Sequence, residues 1–236
     1  MNRPGAVRRG LRDSGILCLI TDRHRLAPEL HGSASLDRLV ALVRVASRAG
    51  VDLVQVRERD LAGRELRRLV ARCVDAVSGT ACRIVVNDRA DVALAARAHG
   101  VHLRADSLDA DLVRTLDPEW LIGRSVHSAP EARVAGGSPA LDYLVLGTMF
   151  ATSSKPGLEQ PAGLDALDQL AGEARVPVLA VGGITLDRVA SLVARNVSGV
   201  AGIGLFIPPR GVSDAAHFRT IVPALRRLFD TSGGGP

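Results

Sequence analysis

The sequence predicts an α/β fold, a single-domain (β/α)8 barrel of the TIM type, on three observations. Eight short aliphatic runs alternate with longer segments of helical periodicity. The runs are apolar at consecutive positions, as strands covered on both faces by helices must be. Polar residues and glycines gather directly after each run, where a barrel of this kind places its chemistry. A doubly wound open sheet is the alternative, but no G-x-G-x-x-G follows the first run, as a dinucleotide-binding sheet would require.

In order, the strands are expected at ILCLIT (16–21), LVQV (53–56), RIVV (83–86) and GVHL (100–103). They continue at LIGRSV (121–126), YLVLG (143–147), VPVLAVGG (176–183) and GVAGIG (199–204). Between them, LDRLVALVRVASRAG (36–50), GRELRRLVARCVDAV (63–77), DVALAARAHG (91–100) and LDRVASLVARN (186–196) repeat apolar residues at helical spacing. Gly50 and Gly100 read as helix C-terminal caps. No linker interrupts residues 15–229, which form one expected domain. Residues 1–14, with Arg3, Arg8, Arg9 and Arg12, read as a disordered basic arm, and 230–236 as a disordered tail.

Composition narrows the function classes. The 236 residues are 47% hydrophobic and 23% charged, with a formal net charge of +5. Aromatics are only 3%, which argues against the base-stacking platforms of nucleic-acid binders. No apolar run reaches transmembrane length, and the first residues lack the apolar region of a secretory signal. Cys18, Cys73 and Cys82 are odd in number and widely spaced, so they read as reduced core thiols of a cytoplasmic protein. A homo-oligomer is compatible with all of this.

Past the strands, several residues carry chemistry. Gln55, Arg57 and Arg59 alternate along VQVRERD, so period two sends all three to one face, leaving Val54 and Val56 toward the helices. Two arginines at a barrel mouth need an anion, unless Glu58 or Asp60 pairs with them. Asn87 and Asp88 end the third strand; Asp88 either caps the next helix or holds a hard cation such as Mg²⁺. Lys155 is the only lysine of the chain and stands in ATSSKPG beside Thr152, Ser153 and Ser154. A compact ammonium among hydroxyls suits phosphate oxygens. The glycine pairs of AVGGI and VAGIG follow the seventh and eighth strands, the usual place for backbone phosphate binding in barrels. His24 and His31 lack metal-ligating partners and read as loop residues.

Taken together, LITD (19–22), VQVRERD (54–60), NDRADVALA (87–95), GVHL (100–103), IGRSVHS (122–128), YLVLGTMFATSSKPG (143–157), PVLAVGGIT (177–185) and GVAGIG (199–204) resemble the thiamine phosphate synthase family, including its TenI-type thiazole tautomerase branch. The resemblance spans residues 16–207. It implies transfer of hydroxymethylpyrimidine from its diphosphate to hydroxyethylthiazole phosphate, with Mg²⁺ and pyrophosphate leaving. By the same resemblance, Gln55, Arg57, Arg59, Asn87, Ser125 and Lys155 meet the pyrimidine diphosphate. Asp88 binds Mg²⁺, and Thr152, Ser153, Ser154, Gly183, Ile203 and Gly204 hold the thiazole phosphate. Arg57, Arg59 and Lys155 would then stabilise the departing charge.

Three departures stand out. Arg59 replaces a family lysine, and Ser154 a threonine. In GVHLRADSL the second metal aspartate of the family aligns with Ser107, while Asp106 comes one residue early and Arg104 takes a glycine position. Either Asp106 reaches the metal through a shifted loop, or the chain binds Mg²⁺ weakly. RSVHS resembles the tautomerase branch, in which His127 would carry the proton without metal or diphosphate. A non-catalytic binder of a thiamine precursor is the remaining alternative.

Overall fold

The computed structural model of the chain describes residues 11–12, 14–151, 163–170 and 174–231. Strands β1 (Ile16–Ile20), β2 (Leu53–Val56), β3 (Arg83–Asn87), β4 (Gly100–Leu103), β5 (Leu121–Val126), β6 (Tyr143–Gly147), β7 (Val178–Val181) and β8 (Gly199–Gly202) close in sequence order into a parallel barrel. β8 pairs with β1 through Ile16 and Gly199 and completes the ring. The expected (β/α)8 fold is the observed one.

Alternation along the strands builds two cores. Ile16, Cys18, Ile20, Leu53, Val85, Leu121, Tyr143, Val145, Leu179 and Ala201 pack inside the barrel. Leu17, Leu19, Val54, Val56, Ile84 and Val86 face outward to the helices. Helix α1 (Arg23–Leu26) follows β1, and α2 (Gly32–Arg48) and α3 (Gly63–Val77) cover β1 to β3. In α3 the buried Leu66, Leu69, Val70, Cys73, Ala76 and Val77 form the apolar stripe that its sequence spacing predicts. Tyr143, the only tyrosine, lies over Gly123, where any β-carbon would overlap its ring.

Several boundaries differ from the sequence expectation by a few residues, and two of the differences turn on glycines. Helix α4 (Ala90–Ala95) stops early, and Arg97 takes the left-handed turn at φ 53°. Gly100 is therefore no cap; it opens β4, where a side chain would strike the Leu121 backbone. β7 is shorter than 176–183 because Gly182 and Gly183, at φ 99° and 62°, leave the extended region. Gly50, at φ 99° just past α2, does act as expected.

The remaining helices are α5 (Ala110–Arg114), α6 (Ala129–Gly136), α7 (Asp165–Asp168), α8 (Leu186–Val193) and α9 (Asp214–Asp230). At the amino end of the barrel, Asp52 accepts from the Leu17 N–H (2.7 Å) and from Arg226 of α9 (2.8 Å). Asp142 does the same for the Ile122 N–H and Arg114, at 2.8 and 2.7 Å. These pairs tie helices to strands at the face opposite the carboxyl mouth. Leu11, within the expected arm, is buried against the inner cluster. The three cysteines are buried and free, and burial pushes Cys73 and Cys82 up to about 12 and Cys18 higher still. They are core atoms, not nucleophiles. Among the described residues, no helix is long and apolar enough to cross a membrane.

Candidate active site

The floor of the carboxyl mouth is polar on one side and apolar on the other. Gln55 and Asn87 continue the inward parity of Leu53 and Val85 on adjacent strands. Gln55 is 2% exposed, yet neither amide makes a hydrogen bond with a described residue. Two amides held side by side with free donors and acceptors suit the edge of a nitrogen heterocycle. Across the barrel, Val181 and Ile203 pack onto the inner cluster and give an apolar wall.

Ser125 is fixed by a residue that sequence reading passed over. His102 of β4 lies between Ser125 Oγ (2.9 Å, Nε2) and Tyr143 OH (3.1 Å, Nδ1). Burial, helped by the charges of Arg124 and Arg57, pushes its pKa down to about 3. The imidazole is thus neutral and donates through one nitrogen only, so Ser125 and Tyr143 take opposite hydrogen-bond roles. The unfolded chain takes up this proton below about pH 6.5 and the folded chain does so only near 3. Stability from neutral His102 is therefore complete above about pH 6.5 and falls by up to ~1.4 kcal/mol per pH unit toward 3. Urea midpoints measured at pH 7 and pH 5 should drop less in His102→Gln than in the natural protein; equal drops would contradict the assignment.

The two arginines leave β2 as expected. Arg57 is half-buried and its N–H donates to Thr21 Oγ1 (2.9 Å); Arg59 is exposed beside it. Burial, then the charge of Arg59, pushes the Arg57 pKa down, although a guanidinium stays protonated throughout the physiological range. Their neighbouring acids do not pair with them. Glu58, 4% exposed, accepts from Arg23 Nη1 (2.8 Å), and Asp60 accepts from both Arg23 terminal nitrogens. Arg23, at the start of α1, thus draws both acids away from the mouth and holds Asp60 far below the usual carboxylate range. Among the described residues, Arg57 and Arg59 have no carboxylate partner at ion-pair distance.

Asp88 and Asp106, the carboxylates expected to hold Mg²⁺, meet a different cation. Arg104 Nη2 donates to Asp106 at 2.6 Å, and its Nη1 lies 3.6 Å from Asp88 Oδ2. Ser107 Oγ donates to the other oxygen, Asp88 Oδ1. Asp88 does not cap α4: Arg89 holds that position. Asp88 sits at φ 58°, a conformation aspartate tolerates. As arranged, this donor set does not fit a dication, since Ser107 occupies one Asp88 oxygen and a guanidinium already stands between the two acids. No cluster of three His, Cys, Asp or Glu side chains suited to a metal occurs among the described residues.

His127 donates through Nδ1 to the Gly147 carbonyl (2.7 Å), which leaves Nε2 as the lone-pair nitrogen. Its own N–H donates to Glu131, and Glu131 N–H to Ser128, which caps α6. After β7 and β8, the N–H groups of Gly183, Ile203 and Gly204 make no hydrogen bond with a described residue. A side chain at Gly183 would strike Phe150 and Ala151, so this glycine also lets two loops pack. A side chain at Gly204 would meet the Arg25 guanidinium at 3.3 Å. Open N–H groups near an arginine suit a phosphate.

Thr152, Ser153, Ser154 and Lys155 lie outside the described residues. The other expected residues gather at one mouth: Gln55, Arg57, Arg59, Asn87, Asp88, Ser125, His127, Gly183, Ile203 and Gly204 all stand at or just past the carboxyl ends of β2, β3, β5, β7 and β8. A cavity of about 560 Å³ flanks this mouth between α5 and α6 and includes Ser125. Its wall is Val134, Ala135 and Leu141, and its arginine, Arg124, is engaged by the carbonyls of Ala105 and Leu108. We place the chemistry at the mouth, where unpaired cations and amides converge.

Comparison with known proteins points to one family. The family model described as thiamine monophosphate synthase matches residues 17–206. The thiamine-phosphate synthase of Roseiflexus sp. (strain RS-1) is 34% identical over 86% of this chain and 84% of its own. That of Chlorobium luteolum is 35% identical over 94% and 96% respectively. The solved thiamine phosphate pyrophosphorylase of Pyrococcus furiosus superposes with a TM-score of 0.75 at 28% identity, covering 97% of this chain and all of that one.

Proposed function

The chain belongs to the thiamine monophosphate synthase family, and from that premise we propose that it transfers hydroxymethylpyrimidine from its diphosphate to the ring nitrogen of hydroxyethylthiazole phosphate, releasing pyrophosphate. The observation that carries this reading is the half-buried Arg57 beside Arg59, both without a carboxylate at ion-pair distance among the described residues because Arg23 holds Glu58 and Asp60.

Gln55 and Asn87 orient the pyrimidine edge, with Ser125 held by His102 as a further polar contact. Arg57, Arg59 and Lys155 meet the diphosphate. As the carbon–oxygen bond breaks, its electron pair stays on the leaving oxygen, and cations fixed in advance stabilise that charge most. The thiazole nitrogen then supplies an electron pair to the pyrimidine carbon. Its phosphate rests on the N–H groups of Gly183, Ile203 and Gly204, with the hydroxyls of Thr152, Ser153 and Ser154. No step is routed through Mg²⁺, because the acids expected to hold it are joined by Arg104. Three unpaired buried thiols support a reducing compartment such as the cytoplasm.

The lone pair of His127 Nε2 at the same mouth favours one second reading, tautomerisation of a thiazole carboxylate phosphate. The test is direct. Purified protein given both substrates should release pyrophosphate in step with thiamine phosphate. Tautomer conversion without pyrophosphate release would overturn the synthase reading.

A further inference from the structure

We propose that Arg104 is the resident cation of this mouth: its guanidinium fills the place between Asp88 and Asp106, meets phosphate oxygens there itself, and keeps divalent metal out. Three observations support it. The guanidinium hydrogen-bonds Asp106 at 2.6 Å and lies within ion-pair distance of Asp88, at 3.6 Å. One Asp88 oxygen accepts from Ser107 and the other faces the guanidinium, so a metal at that carboxylate would meet a fixed positive charge. Arg104 nevertheless remains half exposed, so part of its donor fork faces solvent.

The chemistry of the exchange is coherent. A dication at Asp88 needs several oxygen ligands, and Ser107 offers a neutral hydroxyl where an aspartate would complete a second carboxylate. A guanidinium offers five N–H donors in a planar fork and binds phosphate bidentately. Its charge is covalently held, so it needs no free metal in solution. Asp106, one residue from the aligned position, serves as the second anchor of the arginine and does not replace the aspartate missing at 107. Arg104 and Ser107 thus act together: the first brings a cation in, and the second offers no charge that a metal would need.

The metal-exclusion part stands without the activity reading; the phosphate part rests on it. The probe is Mn²⁺ alone, followed by the loss of the free-ion electron paramagnetic resonance signal on titration with full-length protein. The natural protein should take up Mn²⁺ weakly. Arg104→Gln, which removes the charge, should tighten uptake by roughly tenfold or more, since a like charge beside the carboxylates is gone. Arg104→Gly/Ser107→Asp should bind more tightly again, and adding Asp88→Asn should abolish the gain. In the presence of chelator, Arg104→Gln should bind inorganic pyrophosphate about tenfold more weakly than the natural protein. Equal Mn²⁺ affinity in the natural protein and in both Arg104 variants would overturn metal exclusion. Unchanged pyrophosphate affinity would overturn the phosphate role. Arg104 is half exposed, and matching melting curves will show that each variant is folded. A protein that shows the Mn²⁺ pattern but no turnover would refute the synthase reading alone.

Discussion

Replacing Arg57 with methionine is expected to raise the unfolding midpoint while lowering kcat/KM by about 10²–10³-fold, the usual cost of removing one preorganised donor to a developing anion. The two effects have one cause. Arg57 is half-buried, its pKa is pushed down by burial and by Arg59, more than Asp22 and Glu58 push it up, and among the described residues no carboxylate stands at ion-pair distance from it. An apolar side chain of similar length removes that cost, and a gain of about 1 kcal/mol corresponds to roughly 2–4 °C in a chain of this size. Strain of this kind is common where activity, not stability, sets the residue. Thermal melts and steady-state kinetics on the same preparation check it. A variant that loses stability along with activity would show that Arg57 supports the fold.

The opposite outcome is expected at Arg23. Arg23→Met leaves Glu58, only 4% exposed, as a buried carboxylate with its main partner gone. Breaking a buried pair from one side costs about 3–5 kcal/mol, which corresponds to a fall of roughly 10 °C or more in the midpoint. Glu58 also accepts from the Arg23 N–H at 3.2 Å, a bond that a neutral amide would preserve. The double variant Arg23→Met/Glu58→Gln should therefore recover a substantial part of the loss. Arg23 touches none of the residues assigned to substrate, yet its loss also frees Glu58 and Asp60 to turn toward Arg57 and Arg59. Activity per folded molecule should fall in the single variant and return in the double. If the single variant melts normally, the buried pair does not carry the weight assigned to it.

The barrel was legible because its strands are aliphatic on both faces, a pattern an open or half-wet sheet would not show. Along VQVRERD, period two gives Gln55 its inward parity without any partner, whereas Arg57 and Arg59 follow the strand and Arg59 already lies in a turn. The fate of Glu58 and Asp60 was not legible: Arg23 lies 35 residues from Glu58 in the chain, and nothing in RHRL announces where its side chain goes. His102 had a signal that went unused. In GVHL it is the polar residue of a four-residue strand, and its parity alone places it inside the barrel. Gly100 misled because a glycine after a helical pattern looks like a cap whether it ends the helix or starts the next strand. At 104 and 107 the departures from the family pattern were visible, but the contacts of Arg104 with Asp88 and Asp106 and of Ser107 with Asp88 depend on the turn after β4, which side-chain spacing does not determine.

The central claim is that two unpaired arginines make this mouth a site for a diphosphate group, and calorimetric titration of inorganic pyrophosphate into the natural protein and Arg57→Met tests it most directly. The account predicts saturable binding by the natural protein and an affinity lower by roughly 10–100-fold in the variant, since one charge-assisted hydrogen-bonding partner is lost. Equal affinity in the two proteins, or no binding by either, would contradict it.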